Sequence, residues 1–320
     1  MEELKSLVIE IIRGTTHDGP GLRTTVFFKG CPLSCRWCQN PEGMKGGQEI
    51  WWEERKCIRC LECVAACPEG ALHEDAEGIH IDRAKCTLCG ACVETCPSQA
   101  MAFIGEEWTV SGLVEEVLKY KEYYQAFDGG VTVSGGEPLA HAPFVTEFFQ
   151  RLKAEGVHTA LDTCGLASLD ALRPVLAYTD HVLFDIKFID PSMHQHYTHR
   201  SNEIILQNLA LIAETIRERR DKAMKLWIRT PLIPGATASE ENIAAIGRYI
   251  RDNLPGLVER WELCAFNPIC KSKYKKLELP WAYADCALME QETVDRLKQA
   301  ALSTGLASEM LVVSGLVASL

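Results

Sequence analysis

The feature that most constrains this chain is a cysteine pattern that occurs twice. Each run places four cysteines with two, two and three residues between them, and each closes on Cys-Pro. The first extends from Cys57 to Pro68 and the second from Cys86 to Pro97. Cysteines at such short intervals in a long chain are typical of metal ligands. Zinc ribbons usually use two ligand pairs across a long spacer, so the repeat fits that alternative less well than iron–sulfur clusters.

The repeat resembles the bacterial two-cluster ferredoxin signature over its whole length. In that fold the fourth cysteine of each run binds the other cluster, so the resemblance implies two four-iron sites with exchanged ligands. The first site would be held by Cys57, Cys60, Cys63 and Cys96. The second would be held by Cys67, Cys86, Cys89 and Cys92. We therefore predict that residues 51–104 form an inserted α+β domain of the bacterial ferredoxin type, held together mainly by its clusters because its apolar core is small.

A third group of cysteines lies upstream in one tight loop, with three and then two residues between its members. These are Cys31, Cys35 and Cys38. A four-iron cluster takes one ligand at each iron, so three thiolates leave the fourth iron open to a ligand from outside the protein. An open iron can bind and reduce a substrate directly, whereas a cluster with four thiolates cannot. We therefore predict that the chemistry is centred on this loop.

Strands and helices alternate after residue 105. The predicted parallel strands lie near 24–29, 131–133, 157–161, 181–184, 225–229 and 261–266. Helical crossovers join them, and six such units predict a partial (β/α)6 barrel within an α/β fold. The barrel would use residues 1–50 and 105–320, with the cluster domain inserted after its first parallel strand. Residues 7–12 predict a short edge strand before it, and the apolar tail from Met310 to Leu320 predicts a final buried strand.

Polar and glycine-rich residues follow three of these strands. The three ends read Ser134-Gly135-Gly136-Glu137, Asp162-Thr163-Cys164-Gly165 and Asp185-Ile186-Lys187. The glycines would let a ligand approach the backbone closely. Glu137 could accept from an ammonium group, Lys187 could meet a carboxylate, and the two aspartates could hold ribose hydroxyls or a cation. Each end taken singly also fits a simple turn or a solvated ion pair. Their shared position beside the cysteine loop favours a site for a small amino-acid-like ligand.

The cysteine loop resembles the radical SAM (S-adenosylmethionine) signature, with an aromatic residue at Trp37. The preceding segment His17–Thr24, His-Asp-Gly-Pro-Gly-Leu-Arg-Thr, resembles the glycyl-radical enzyme activating family, of which pyruvate formate-lyase activase is the best known. The resemblance covers nearly the whole chain. Its inserted cluster domain is similar to the branch that activates decarboxylases, diol dehydratases, benzylsuccinate-type synthases and related lyases.

The resemblance implies a role for each part of the site. Cys31, Cys35 and Cys38 would hold the cluster that binds SAM through its amine and carboxylate. The implied SAM contacts are Trp37, Cys38, Gln39, Gly135, Gly136, Glu137, Asp185, Ile186 and Lys187. The implied site for a monovalent cation comprises Asp162, Thr163, Leu183 and Asp185. Asp18 would lie near the glycine loop of the partner. Asn267 stands where the family often has an adenine-contacting histidine, and we keep it as a candidate contact.

The implied function is that of an oxidoreductase that activates a partner glycyl-radical enzyme. Reduced flavodoxin or ferredoxin would supply an electron through the inserted clusters to SAM. The S–C5′ bond would break to give methionine and a 5′-deoxyadenosyl radical, which would take a hydrogen atom from a glycine Cα of the partner. No protein acid, base or nucleophile is required. Two alternatives remain: a radical SAM enzyme that acts on a small molecule, and a multi-cluster electron-transfer protein.

Composition narrows the partners and the compartment. The net charge of −11 and the pI near 5.4 argue against a nucleic-acid partner, and the longest apolar stretches are too short to span a bilayer. Fifteen cysteines at metal-ligand spacings, without a signal peptide, favour a reducing cytoplasm. We expect a cytoplasmic protein that works under anaerobic conditions and is a monomer when free. The remaining cysteines are predicted to be structural: Cys164, Cys264, Cys270 and Cys286.

Overall fold

The structure is a computed structural model that describes residues 3–219 and 224–318. Its strands are β1 Lys5–Thr15, β2 Arg23–Phe28, β3 Glu49–Trp52, β4 Leu72–Glu74, β5 Ile79–Ile81, β6 Met101–Ile104, β7 Glu106–Thr109, β8 Gly130–Gly135, β9 His158–Thr163, β10 His181–Asp185, β11 Lys225–Leu232, β12 Val258–Ala265, β13 Met289–Glu290, β14 Leu311–Ser314 and β15 Val317–Ala318. Its α-helices are α1 Glu62–Ala66, α2 Ala91–Glu94, α3 Val110–Leu118, α4 Lys121–Ala126, α5 Ala142–Ala154, α6 Leu169–Leu176, α7 Pro191–Thr198, α8 Glu203–Glu218, α9 Glu240–Asn253, α10 Lys271–Lys276 and α11 Gln291–Leu302. None of these described helices is both long enough and apolar enough to cross a membrane.

The main sheet is parallel except at one side. Its described strands follow the order β14-β12-β11-β10-β9-β8-β2-β1-β7, and those from β14 to β2 run parallel. The predicted α/β partial barrel is therefore confirmed. The predicted buried strand over Met310–Leu320 is present only in part, as β14, and of its four residues only Leu311 is buried. β14 pairs along β12 and adds a parallel strand beyond the six predicted, and the last two residues of the predicted tail strand lie outside the described part of the chain. The prediction of β1 as an edge strand was wrong, because the chain returns from the insert as β7 and pairs outside it.

Alternation along the strands separates the apolar core from the polar face of the sheet. On β8, Val131 and Val133 belong to the main apolar core, whereas Thr132 and Ser134 hydrogen-bond to side chains of neighbouring strands. Helices cover the apolar face with stripes of buried residues at helical spacing. On α5 this stripe comprises Phe144, Val145, Phe148, Phe149 and Leu152. The polar face is consequently the face on which a site can form.

The inserted segment is a small unit with its own apolar cluster. β3 and β6 pair antiparallel at its base, and β4 and β5 form a hairpin. Its buried cluster consists of Ile50, Cys63, Leu72, Ile79, Ile81, Cys92 and Met101. Two of these residues are predicted iron ligands, so the purely apolar part of this core is small. The base strands extend from Glu49 to Ile104, close to the predicted limits of 51 and 104, which stay a prediction.

The sequence repeat in the insert is also a backbone repeat. Arg59 and Leu88 occupy equivalent places in the two runs and have φ of 56° and 60°. Leu61 and Gly90, again equivalent, have φ of 61° and 82°, and each immediately precedes a short helix, α1 or α2. Left-handed conformations are uncommon for residues other than glycine. Their recurrence at matching positions indicates that both loops wind in the same way around their cysteines.

Candidate active site

A cavity of about 270 Å³ opens at the carboxyl ends of the parallel strands. It brings the cysteine loop together with the ends of five strands, β8 to β12. The lining residues are Cys31, Leu33, Cys35, Trp37, Cys38, Gln39, Asn40, Ser134, Gly135, Gly136, Asp162, Thr163, Cys164, Asp185, Lys187, Arg229, Pro231 and Cys264. A larger groove of about 890 Å³ lies between α5 and α6, but its lining includes no cysteine and none of the predicted site residues. We therefore take the smaller cavity as the candidate site.

The cysteine loop is anchored by the protein around it. The backbone amides of Ser34 and Arg36 donate to the carbonyls of Thr198 and Tyr197 at the end of α7, each at 3.1 Å. Within the loop, the Cys38 amide donates to the Cys35 carbonyl at 3.0 Å. These bonds satisfy backbone groups that the tight loop would otherwise leave without partners. The loop is thus a fixed part of the barrel mouth.

The three thiols of this loop fit a shared iron–sulfur cluster. Burial raises the pKa of Cys35 to about 12 and also raises that of Cys38, whereas a hydrogen bond with Cys164 lowers the pKa of Cys31. Buried thiolates need a cation, and bound iron replaces the thiol proton. Within the described residues, no three His, Cys, Asp or Glu side chains converge tightly enough for a single metal ion. The thiols instead border one cavity, as a cluster with one thiolate per iron requires.

The two glycines after β8 are required by the packing of the cysteine loop. Gly135 has φ of +110°, and a Cβ there would lie 2.3 Å from the Phe28 nitrogen. A Cβ at Gly136 would lie 2.3 Å from the Gly30 oxygen and 2.6 Å from the Gly43 oxygen. The sequence predicted that these glycines let a ligand approach the backbone closely, and both of them do border the cavity. The structure adds that side chains here would push away both flanks of the loop.

Glu137 is engaged by the protein itself. Its carboxylate is fully buried and accepts from the Leu139 amide at 2.9 Å, the Thr163 hydroxyl at 2.7 Å and the Cys164 amide at 2.8 Å. Burial raises its pKa, although these hydrogen bonds act in the opposite direction. Glu137 is not among the lining residues. The carboxylate therefore joins the ends of β8 and β9, and the predicted contact of Glu137 with an ammonium group gains no support from this geometry.

The end of β10 supplies an ion pair to the cavity. The Lys187 ammonium lies 2.6 Å from the Asp185 carboxylate, and the lysine is 7% exposed. Burial alone would lower the pKa of Lys187, but the adjacent Asp185 raises it, so the ammonium stays charged. Ile186, between them, is buried and does not line the cavity, because its backbone bonds to Arg229 and Thr230 on β11. The structure thus places the Lys187 ammonium at the cavity. Ile186 lies behind the cavity wall, where its backbone joins β10 to β11.

Arg229 is a site residue that the sequence analysis missed. From β11 its guanidinium lies 3.4 Å from Asp162, 3.3 Å from Glu262 and 3.8 Å from Asp18. Burial raises the pKa of Asp162 to about 7, although the charge of Arg229 opposes this shift. The available signal was an arginine at the carboxyl end of the predicted strand 225–229, where the site residues of the other strands lie, since an arginine is almost never buried without partners.

Asp18 connects the segment before β2 with this charged group. Its carboxylate accepts from the Thr25 hydroxyl at 2.9 Å, and its backbone carbonyl accepts from the Thr132 hydroxyl at 2.7 Å. Arg229 then links it to Asp162 at the cavity. The residue predicted to lie near a partner loop is therefore on the polar face of the sheet, one side chain away from the site.

Of the three residues implied at the adenine end of SAM, two line the cavity and one does not. Trp37 is buried against Phe188 and Tyr197 and borders the cavity. The Gln39 amide donates to the Asn267 carbonyl at 3.1 Å. The Asn267 side chain does not line the cavity, because its amide oxygen accepts from the Ile269 backbone at 3.2 Å. Trp37 and Gln39 therefore face the site directly, and Asn267 acts behind them.

The two aspartates of the candidate cation site already bond to other side chains of the protein. Asp162 already accepts from Ser134 at 2.7 Å and pairs with Arg229. Leu183 is buried with its side chain in a small apolar group, beside the register partner Asp162. Asp185 pairs with Lys187, as described above. The four residues do lie on neighbouring strands, and the cation stays a prediction.

Two cysteines that we predicted to be structural border the cavity instead. Cys164 follows β9 and lies against Cys31, and Cys264 lies near the end of β12. Burial raises the pKa of Cys264 to about 11. Cys270 is buried behind the loop, with its sulfur 3.7 Å from the Cys38 carbonyl. Cys286 packs partly buried against the main core. From the sequence, only their positions at the ends of predicted strands could have indicated that Cys164 and Cys264 border the site, because their spacing matches no ligand motif.

The cysteines of the insert also fit clusters. The Ala71 amide donates to the Cys67 sulfur at 3.3 Å, and the equivalent Ala100 amide donates to the Cys96 sulfur at 3.2 Å. Hydrogen bonds to sulfur are characteristic of iron–sulfur sites and tune their potentials. The middle cysteines of each run differ in exposure. Cys63 and Cys92 are buried, whereas Cys60 and Cys89 are exposed.

Comparisons with known proteins match both parts of the chain. A family model described as the radical SAM superfamily matches residues 84–245, and one described as a 4Fe-4S dicluster domain matches residues 49–97. A solved radical SAM methyltransferase from Sphaerobacter thermophilus aligns with 97% of this chain and 77% of its own, with a TM-score of 0.51 and 13% identity. At that identity the likeness concerns the fold alone.

Curated relatives are similar over nearly the full length. The chain is 36% identical over 297 residues to the trans-4-hydroxy-L-proline dehydratase activating enzyme of Clostridioides difficile, with 92% of this chain and 96% of the relative covered. It is 38% identical over 280 residues to the (2S)-3-sulfopropanediol dehydratase activating enzyme of Klebsiella oxytoca, with 86% of each covered. It is 36% identical over 296 residues to the choline trimethylamine-lyase activating enzyme of Oleidesulfovibrio alaskensis, with 88% and 90% covered. This chain belongs to the radical SAM family of glycyl-radical enzyme activating enzymes.

Proposed function

We propose that this chain activates a glycyl-radical enzyme by reductive cleavage of SAM at the cysteine loop. One observation carries the proposal. The cavity joins the three thiols of the loop to charged groups of both signs, the buried Lys187 and the partly buried Asp162 and Asp185. A purely electron-transferring protein has no use for such charges beside a three-cysteine cluster. They suit a zwitterionic ligand, and SAM carries both an ammonium and a carboxylate.

Each side chain at the cavity then has a task. Cys31, Cys35 and Cys38 hold a four-iron cluster and leave one iron for the methionyl end of SAM. Lys187 meets the carboxylate of SAM, because a buried ammonium next to the site stabilises a negative group. Asp162 and Asp185 hold ribose hydroxyls, the ammonium or a monovalent cation. Gly135 and Gly136 contribute backbone, and the segment from Trp37 to Gln39 borders the adenine.

A cluster held by Cys31, Cys35 and Cys38 would supply the one electron needed to cleave SAM reductively into methionine and a 5′-deoxyadenosyl group, and that group would take up a hydrogen atom from a glycine Cα of the partner. The chain positions the reactants and excludes water. Asp18 and Arg229 lie on the polar face of the sheet beside the cavity, where an extended glycine loop of a partner would enter. Their hydrogen-bonding groups suit a polypeptide backbone.

The insert carries two further four-iron clusters in this proposal, giving three in all. The repeated backbone and the paired N–H···S hydrogen bonds support both sites. Exposed Cys60 and Cys89 place part of each ligand set at the surface, where an electron can enter from a small carrier. We propose reduced flavodoxin or ferredoxin as that carrier, and a monomeric, cytoplasmic protein that operates without oxygen.

The identity of the partner is a separate question. Relatives of similar identity are named for a hydroxyproline dehydratase, a sulfopropanediol dehydratase and a choline lyase. The activating chain does not handle the small molecule that the partner converts, so its cavity does not encode that substrate. An adjacent large reading frame with a C-terminal glycine-loop motif would supply the candidate.

The test is an anaerobic incubation of the reconstituted chain with SAM, a reductant and the candidate partner. We expect a glycyl-radical doublet in the electron paramagnetic resonance (EPR) spectrum, with methionine and 5′-deoxyadenosine formed in matching amounts. Partner in which the loop glycine is replaced by alanine is the control, and it should give no such doublet. Formation of 5′-deoxyadenosine coupled to turnover of a small molecule, with no radical on any partner, would favour the small-molecule alternative. No SAM cleavage after reduction would favour the electron-transfer alternative.

A further inference from the structure

A short basic helix lies between the cysteine loop and the inserted cluster domain. It is α10, and we call residues 270–281, which contain it and the turn after it, the bridging segment. Four of the six residues of α10 are lysines. Its contacts extend in two directions, toward the active-site loop and toward the insert.

On the first side the bridging segment holds the backbone of the cysteine loop. The Tyr274 hydroxyl donates to the Cys38 carbonyl at 2.9 Å. The tyrosine is 6% exposed, and its ring stacks on Trp281 with 4.9 Å between centroids and 14° between planes. This stack fixes the direction of the hydroxyl. Since Cys38 is both a predicted cluster ligand and a lining residue, the bond acts directly on the wall of the cavity.

Lys273 holds the residues that follow in the same loop. Its ammonium lies 2.9 Å from the Asn40 side-chain oxygen and 2.5 Å from a Glu42 carboxylate oxygen. Glu42 is 3% exposed, and its other carboxylate oxygen is buried with no hydrogen-bond partner in the structure. A buried carboxylate in this position depends strongly on the Lys273 ammonium that pairs with it. Asn40 also lines the cavity, so Lys273 shapes the site from behind.

On the second side the same helix binds the base of the insert. Lys275 pairs with Glu54 at 2.5 Å, and Lys276 pairs with Glu53 at 3.3 Å. The Lys276 ammonium also lies over the ring of Trp51, 4.5 Å from its centroid. Successive side chains of one helix therefore contact the active-site loop and the insert, with no flexible linker between the two sets of contacts.

The residues just after α10 continue the contact with the insert. The Glu278 carboxylate lies 2.6 Å from the His80 ring and accepts from the Ile81 amide at 3.2 Å. Glu278 has φ of +55°, a conformation that costs energy for a residue with a Cβ. Arg83 of the insert donates to the Leu277 carbonyl at 3.4 Å. The turn accepts backbone strain where it meets the insert, which indicates that the contact is maintained by the surrounding structure.

We infer that the bridging segment couples the inserted cluster domain to the SAM site, with Tyr274 and Lys273 as its positioning residues. The inference rests on the proposed function. The insert holds the segment, and the segment holds the Cys38–Asn40 stretch that forms one wall of the cavity. A change in how the insert contacts the bridging segment therefore alters the free energy of SAM binding, and a change at the Cys38–Asn40 stretch alters the free energy with which the insert docks. Such coupling is reciprocal, so SAM binding also stabilises the docking of the insert.

The first test removes one hydroxyl. Tyr274→Phe keeps the ring on Trp281 but loses the donor to Cys38, and we expect SAM to bind about fivefold to tenfold more weakly, as for one buried hydrogen bond. The measurement is an anaerobic titration of the reconstituted full chain with SAM, followed by the change in the EPR spectrum of the reduced protein. Total iron should stay at the wild-type value, because no cluster ligand is lost.

Lys271→Gln is the matched control on the same helix. Lys271 pairs with Asp285, whose side chain is 94% exposed, so its ammonium is engaged at the surface by a residue that belongs to neither the loop nor the insert. Its SAM affinity should stay within about twofold of wild type, as is usual for a surface pair. Equal affinities for Tyr274→Phe and Lys271→Gln would overturn the inference.

The second test asks whether the two sides act through one element. Glu278→Gln removes the charge that faces His80 while keeping the size of the side chain, and we expect SAM affinity to fall about twofold to threefold. Combined with Tyr274→Phe, the loss should be smaller than the product of the single effects, because both changes release the same segment. A strictly multiplicative loss would contradict the coupling. A wild-type protein that does not bind SAM at all would instead overturn the proposed function.

Discussion

The cysteine loop and the insert use the same ligand type in opposite settings. Cys35 is 9% exposed within a loop that backbone hydrogen bonds tie to α7, and the large core of the barrel lies beneath it. The insert leaves Cys60 and Cys89 exposed, and its buried cluster already includes two of its own cysteines. The surrounding protein fixes the conformation of the cysteine loop, whereas we propose that the conformation of the insert depends on its clusters.

In the function that we propose, this difference makes the cysteine loop suitable for chemistry and the insert suitable for electron transfer. A rigid loop with three thiols beside a polar cavity can present an open iron to a ligand in a fixed orientation. A module closed by four thiolates at each cluster has no such opening, and its exposed ligands favour exchange of electrons with a carrier.

The largest effect should come from exchanging one cysteine in each region. Cys35→Ala should reduce SAM cleavage to background while the protein keeps about eight of about twelve irons, because only the loop cluster is lost. Cys60→Ala is the matched variant, and it should lose iron from the insert but still cleave SAM with a strong chemical reductant. The measurements are iron content and 5′-deoxyadenosine formation. Cleavage that persists in Cys35→Ala would refute the site assignment.

Removal of iron should destabilise the insert much more than the barrel. We expect backbone amides of residues 49–104 to lose protection from hydrogen exchange by at least about tenfold after chelation, because metal binding supplies folding free energy there. Protection of the amides of β9, β10 and β11 should change little, because these strands are held by the large apolar core of the barrel, which is separate from the insert. Mass-spectrometric hydrogen exchange on iron-loaded and iron-free protein gives both values. Equal loss in both regions would contradict the contrast.

A smaller effect should follow from removing the buried ammonium. Lys187→Ala should weaken SAM binding about tenfold to a hundredfold, as expected for a charge-assisted contact, with little change in iron content. Lys153→Ala is the control, because Lys153 also pairs with an aspartate, Asp180, at 2.7 Å but lies outside the cavity. An unchanged SAM affinity in Lys187→Ala would rule out the proposed carboxylate contact.

The smallest effect concerns the pH dependence of the insert. His80 lies between Asp75 and Glu278 and stacks on His73, and hydrogen bonds to the two carboxylates, Asp75 first, raise its pKa above the usual 6.5. A raised folded-state pKa stabilises the protein fully below pH 6.5, and this stabilisation disappears as pH rises through the higher value. We expect the thermal stability of the iron-loaded insert to fall over that interval. In His80→Gln the fall should vanish, and an identical profile would exclude His80 as its cause.

The parts predicted from sequence are those that local spacing encodes. Cysteine intervals predict ligands, which stay a prediction, and alternating apolar runs predict strands whose ends meet at one edge of the sheet, as the structure confirms. The missed parts depend on distant positions. Tyr274 contacts Cys38 across 236 positions, and Arg229 reaches Asp162 across 67. Nothing local distinguishes a carboxylate such as Glu137, which joins two strand ends, from one that faces a ligand. Such roles follow only from the folded arrangement.

The most direct test of the account is an electron–nuclear double resonance measurement on the reduced protein with SAM labelled at its methionyl nitrogen and carboxylate oxygens. We predict coupling of both labels to one cluster, with the coupling present in Cys60→Ala and absent in Cys35→Ala. Coupling that survives in Cys35→Ala, or coupling that depends on Cys60, would contradict the claim that the open iron belongs to the cysteine loop.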